Sequence, residues 1–249
     1  MPTKQVSLGG RPLHGHDRFG EWIVENLEGW YDAPDARDTS SEAVNSHGDI
    51  PGRSYYGART PTVSGILFHK SRGLAVNAFE DLAATATLED QVFQVVDGNN
   101  VRWANARFAG IDYTQVGVGA WRYQLRLRCS DPFKYGERQS VSFPLGSNGQ
   151  IMHRGSVPAW PVITVTGSAP GGYTLTRGGR DVVITAPLVS GSPHVLDMRT
   201  GVLRAGGSRV YGGIDTAQYW QVNPGLNQTV SASGSGTATV RVDVYDTYI

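Results

Sequence analysis

The side chains able to do chemistry lie scattered along the chain. The stretch HGDIPGRSYYGART (47–60) sets His47 and Asp49 beside a Gly-Pro-Gly-type bend, followed by Arg53, Tyr55, Tyr56 and Arg59. A histidine and a carboxylate could act as base and acid. No nucleophile or orienting group stands at a spacing that completes such a set. In HGHD (14–17), His14 and His16 could chelate a metal from an extended segment, but a closed site needs third and fourth ligands that do not follow. In HVLDMRTGVL (194–203), His194 and Asp197 suggest acid–base work. Two apolar runs around a polar turn read instead as a hairpin, with Asp197 accepting from the turn's amides. No G-x-S-x-G elbow is present, and GVGAW (117–121) lacks the third glycine and following helix of a dinucleotide fingerprint. The expectation is a protein that is not an enzyme, without catalytic, cofactor-binding or metal residues.

Two other features could bind. WRYQLRLRCSDP (121–132) alternates, so Tyr123, Leu125, Leu127 and Cys129 share one face while Arg122, Gln124, Arg126 and Arg128 share the other. Three arginines in a row could line a channel for nucleic acid, since phosphates attract such rows without sequence readout. They could equally form a solvated or interface face paired with carboxylates. Tyr219 and Trp220 are aromatics on a short-strand segment, able to stack on a sugar or to anchor a partner or core.

Composition narrows the class. The 249 residues include 22 basic and 22 acidic side chains, so no net field draws the chain to nucleic acid or a membrane. Glycine, at 32 residues, exceeds its usual share of about 7% and lies between short Val/Thr/Tyr runs, the mark of many turns between strands. The single cysteine, Cys129, permits no disulfide within the chain. MPTKQVSLGGRPL has no apolar signal segment, and no run approaches the roughly 18 apolar residues of a spanning helix.

The elements that must position these groups are mostly strands. GEWIVENLEGW (20–30) reads as a strand ended by Gly29. Residues 31–53 form a long polar excursion, either functional or an arm that partners order. TPTVSGILFHK (60–70) reads as a strand with a bulge at Gly65. NAFEDLAATATLED (77–90) is the helix candidate, with Asn77 as cap, Glu80 completing a capping box, and Phe79, Leu82, Ala83 and Ala86 on one face. VFQVVDGNNVRWANARFAGI (92–111) is a hairpin turning at Asp97-Gly98. After Pro132 the texture changes, and from Trp160 onward short strands recur at 8–14-residue spacing, as in an antiparallel sandwich. Ala238, Val240, Val242 and Val244 supply its inward face, Arg241 and Asp243 an outward one. The expected fold is mostly β with one helix. An N-terminal β domain spans 1–143, a linker 144–155, and a C-terminal antiparallel sandwich 156–249.

The ordered series resembles the distal tail proteins of long-tailed bacteriophages. LEGW (27–30) precedes Gly48-Asp49, Tyr55 or Tyr56, Arg59 and Gly65, where that family's "dG…y…R…l.G.l" pattern falls, and Asp131, Pro132 and Tyr135 match its closing "DP…Y". Pro161–Leu203, with Leu196, Asp197, Thr200 and Gly201, and then Trp220, Pro224, Gly225 and Asn227, are similar to the galectin-like sandwich that follows in many such proteins. The resemblance covers nearly the whole chain. It implies a homo-hexameric ring at the distal end of the virion tail, assembled in the host cytoplasm. That ring joins the tail tube to the tail-associated or baseplate hub protein, and DNA passes only transiently through its channel. No catalysis, cofactor or membrane insertion is implied, and the outward sandwich carries host-binding proteins in some phages. In that frame Tyr55, Tyr56 and Arg59 are possible subunit-interface residues, with Arg59 pairing a carboxylate across the interface. Arg122, Arg126 and Arg128 become a possible channel or seam face, and Tyr219 and Trp220 possible sugar or partner contacts.

Overall fold

The computed structural model describes residues 4–69, 71–85 and 89–249. Packing separates two units, divided between Lys134 and Tyr135, each with its own apolar core. Among the described residues no helix is long and apolar enough to cross a membrane.

In the first unit a meander of antiparallel strands runs in the order Asn100–Gly117, Ala120–Arg128, Thr62–Phe68, Gly20–Glu28 and Gly15–Asp17. Gln91–Asp97 pairs with the first part of Asn100–Gly117 and with Gln5–Leu8. The hairpin turns at Gly98, as the Asp-Gly signal requires, with Asp97 opposite Asn100. The alternation in Ala120–Arg128 is kept in full: Trp121, Tyr123, Leu125 and Leu127 are buried and the residues between them exposed.

Gly65 is not a bulge. It leaves room for a close crossing, since a Cβ there would stand 2.1 Å from the Ile23 carbonyl oxygen and 2.9 Å from the Tyr123 hydroxyl. The irregularity lies across from it, where Gly20–Glu28 slips between Val24 and Asn26.

The helix is Arg72–Thr85, earlier than the sequence suggests. Ser71 stands before it, its carbonyl accepting from Ala75 N at 3.1 Å and its amide donating to His69 Nδ1 at 2.9 Å. Asn77 is therefore an exposed mid-helix residue and not a cap. Ala75, Ala78, Phe79 and Leu82 are the buried face, so one extra turn of apolar contact outweighs Asn77's local preference for a terminus. Ala86 lies outside the described residues. Phe79 meets Trp22 edge-on at 5.7 Å. Arg11 locks the helix to the sheet, donating to Asp81 Oδ2 at 2.7 Å and to Asp17 Oδ2 at 3.1 Å while lying 5.2 Å over the Trp22 ring.

The second unit is a two-sheet antiparallel sandwich. One sheet has the order Ser208–Arg209, Val202–Ala205, His194–Asp197, Val162–Ser168, Thr237–Tyr248, Lys134–Pro144. The other runs Asn148–Ile151, Gln228–Gly234, Tyr173–Arg177, Arg180–Ile184, Ile214–Ala217. Ala238, Val240, Val242 and Val244 face inward. Asp243 is buried too, where Arg241 donates to it at 2.8 Å and Ser140 also bonds it. Residues 144–155, expected as a linker, contain the strand Asn148–Ile151 and the fully buried His153, whose Nε2 lies 3.0 Å from the Val222 carbonyl.

Candidate functional site

The long polar excursion is an arm. Ala36–Arg37 pairs with Tyr55–Tyr56, and Ser41–Glu42 with Asp49–Ile50. Both ladders are antiparallel and belong to one hairpin, closed where Ala43 N donates to Gly48 O at 3.1 Å. Their registers differ by one residue, and between them Gly52 lies so close to the other side that a Cβ there would stand 2.3 Å from the Thr39 carbonyl oxygen. From Tyr31 to Tyr56 no residue is buried, and only Pro34, Ser40 and Ala43 are half-buried, the rest being exposed. A strand pair with no apolar face cannot hold itself by burial, so the arm depends on its root.

Arg59 builds that root. It is 1% exposed, and its backbone pairs with Cys129 in both directions, at 3.0 and 2.8 Å. Its Nη1 donates to the carbonyls of Gly29 (3.0 Å), Trp30 (2.9 Å) and Asp32 (2.6 Å), and its Nε to Pro132 (3.0 Å). One guanidinium thus ties the outgoing side of the arm, at 29–32, to the returning side, at 59. The buried Nη2 has no hydrogen-bond partner among the described residues. Burial lowers the Arg59 pKa from its ordinary value. The expectation that Arg59 reaches a carboxylate across an interface is corrected: its side chain is buried and bonded to carbonyls of its own unit.

Lys134 joins the same root. Its Nζ donates to the Trp30 carbonyl at 3.0 Å and lies 5.8 Å over the Trp30 ring, which meets Phe93 edge-on at 5.0 Å. Burial, and then the neighbouring Arg59 and Arg102 charges, push the Lys134 ammonium down to about 8. Burial pushes the Cys129 thiol up to about 12, so it is held as an unreactive core thiol.

Tyr55 and Tyr56 point to opposite sides of the arm and are 52% and 44% exposed. Tyr56 meets Phe133 edge-on at 6.4 Å, and Tyr55 touches no other ring among the described residues. On the sheet, Arg122, Arg126 and Arg128 stand on the exposed face as expected. Arg122 lies 3.8 Å from Glu25 and Arg126 is paired with Asp112, whereas Arg128 has no polar partner among the described residues. A cleft of about 350 Å³ opens beside Arg122, Gln124, Ser64 and Asp112.

The remaining candidates are dispersed. His14 Nδ1 accepts from Val24 N at 3.3 Å, His16 is 3.9 Å from Glu21, and Asp17 serves Phe19 N and Arg11. His194 is buried against the Tyr173 hydroxyl at 3.1 Å, and burial lowers its pKa. Asp197 accepts from Arg199 N and the Thr200 hydroxyl, as a turn residue does. Trp220 is fully buried, so its ring offers no face to a sugar, and the half-buried Tyr219 donates its hydroxyl to Gly201 O at 3.3 Å. The arm root went unseen in the sequence, because Lys134 and the carbonyl cluster are distant from Arg59 along the chain.

No protein-family model matches the chain, and no curated protein matches it by sequence. Solved structures do match. The crystal structure of SPP1 Dit (gp 19.1), described as a paradigm of the hub adsorption apparatus in phages infecting Gram-positive hosts, aligns with a TM-score of 0.76 at 14% identity. The alignment covers 99% of both chains. The phage P2 baseplate in its activated conformation with Ca aligns at 0.51 and 9% identity, over 96% of this chain and 97% of that one. The chain therefore has the fold of a phage distal tail protein, the fold that its ordered motifs resemble.

Proposed function

We propose that the chain is a structural protein of a phage tail tip, without catalytic activity, that closes into a six-membered ring. The observation that carries this reading is the end-to-end agreement of fold with the SPP1 hub protein across both units. The ring joins the tail tube to the baseplate or tail-associated hub protein at the distal end of the virion. It is assembled in the host cytoplasm, leaves a channel through which DNA passes transiently, and inserts into no membrane. The N-terminal unit forms the ring and the sandwich faces outward. An exposed arm anchored by a buried root supports this, because a closed ring needs a patch on one copy that fits a different patch on the next.

Negative-stain imaging and native mass spectrometry of the purified protein, alone and with tube or baseplate partners, are expected to show six copies around a central hole. A protein that stays monomeric in every mixture and is missing from virion tail tips would sink the reading. Tyr55 and Tyr56 are assigned to the subunit contact. Replacing both by serine is expected to leave the thermal transition of the single chain within about 1 kcal/mol of wild type. The same change should weaken ring assembly roughly tenfold or more, as loss of exposed aromatic anchors does. Rings of unchanged affinity would remove the tyrosines from the interface.

A further inference from the structure

Two cross-strand pairs in the first unit carry like charges, and their signs are opposite. On the arm Glu42 stands directly across from Asp49. On the sheet Arg107 stands directly across from Arg128. Like charges facing each other across a ladder destabilise it. The arm ladder is only two residues long on each side, so it is the less able to absorb that cost. Neither carboxylate has a cation or hydrogen-bond partner among the described residues. From Asp38 to Ile50 the arm carries three carboxylates and no lysine or arginine. Arg107 has Asp90 at 3.0 Å, but the Arg128 side chain has no polar partner among the described residues.

The two pairs cannot meet within one chain while the arm keeps its form. Arg128 adjoins Cys129, which pairs with Arg59 at the arm root. An antiparallel ladder advances about 3.4 Å per residue, so the tip at Glu42 and Asp49 stands on the order of 25 Å from the root at Gly57. Each pair therefore looks for its complement elsewhere, and a second copy of the same chain offers it.

We propose that the Glu42/Asp49 pair of one copy seats on the Arg107/Arg128 pair of the next. This rests on the ring reading and names the contact that sets its register. The contact is head-to-tail, acidic tip on basic sheet, which is the type of interface that closes a ring. Each side relieves the repulsion the other suffers alone. Opposed charges of this kind steer association and fix orientation, and they weaken as salt rises.

The test uses two full-length variants. The first, Glu42→Arg with Asp49→Arg, is basic at both patches. The second, Arg107→Glu with Arg128→Glu, is acidic at both. Each keeps a like-charge pair in place of a like-charge pair. Arg107→Glu also gives up the exposed ion pair with Asp90, a contact of small worth, so thermal melting should show at most a small loss of folding stability. Mass photometry is expected to show that each variant alone has lost self-association at least tenfold relative to wild type. A one-to-one mixture should recover it, because every arm then finds an opposite patch on the alternate chain. Recovery should itself fade with salt. If either variant alone assembles like wild type, or the mixture recovers nothing, the pairing is wrong and the ring reading is untouched. If wild type forms no ring, the two variants should still bind each other in pairs, and failure to do so would overturn the pairing independently.

Discussion

An Arg59→Ala chain is expected to unfold its N-terminal unit with about 3 kcal/mol less free energy than wild type. The change strips the donor from the carbonyls of Gly29, Asp32 and Pro132, and leaves that of Trp30 to Lys134 alone. A buried acceptor left without its partner costs about 1–3 kcal/mol, and these three carbonyls, being only partly buried, lose less each because water can reach them. Part of that sum is offset, because the buried guanidinium no longer has to be kept out of water. Lysine should not rescue the position: an ammonium is a compact charge and cannot span carbonyls that a planar fork reaches together. The denaturant midpoint measures the loss. Hydrogen exchange locates it, since the amide of Gly57, which donates to Asp35 O at 2.7 Å, should lose protection along with the root. An alanine variant within about 1 kcal/mol of wild type, with Gly57 still protected, would mean that the arm holds itself.

The prediction also separates folding from assembly. The arm has almost no buried surface of its own, so its position is inherited from the carbonyl cluster at residues 29–32. Losing that cluster should misplace Tyr55, Tyr56, Glu42 and Asp49 together. The proposed ring should then fail to form in Arg59→Ala at temperatures where the chain is still folded.

What could be read from the sequence follows from which forces are local. The strand Ala120–Arg128 was legible because burial on one face imposes a period of two, and the sandwich because its strands repeat that pattern between glycine turns. The helix was found but placed late. Asn77 and Glu80 make a plausible start signal, and only the packing of Ala75 and Ala78 shows that the helix begins at Arg72. The strand Lys134–Pro144 was missed because its sequence, KYGERQSVSFP, offers a weak alternation and an internal glycine. The arm could be read only as a long polar stretch, since exposed two-residue ladders leave no apolar period. Arg59 and Trp220 show the limit most plainly. An arginine is seldom fully buried, so the sequence placed Arg59 at a surface, whereas its bonds go to carbonyls brought together by the fold. For Trp220 the sequence leaves sugar, partner and core open, because nothing local to Tyr219 and Gln221 says which side of the segment faces the core.

Lys134→Met should stabilise the same unit at neutral pH, the opposite of what removing a hydrogen-bonded charge usually does. The folded protein holds the ammonium at about 8, against 10.5 for an ordinary lysine. Folding therefore works against the proton. Below about 8 both folded and unfolded chains are protonated, and the full cost of the buried charge is present. Between about 8 and 10.5 the unfolded chain binds a proton that the folded one has released, so wild-type stability rises with pH across that window. Above it the cost is gone, and the neutral amine still has hydrogens to donate to the Trp30 carbonyl. Methionine has nearly the same length, carries no charge, and leaves that carbonyl to Arg59 Nη1 at 2.9 Å. The variant should be more stable at pH 7 by about 1–2 kcal/mol, once the lost hydrogen bond is set against the relieved charge. Its advantage should shrink from about pH 8 and reverse in favour of wild type before pH 10.5, because the span between 8 and 10.5 carries about 3.4 kcal/mol, more than the advantage itself. Paired melts of the two proteins across pH 6–11 read this directly, because other titrating groups cancel in the difference. A difference that does not change with pH, or a variant less stable at pH 7, would show that the ammonium at the arm root is better solvated than its burial to 7% exposure implies.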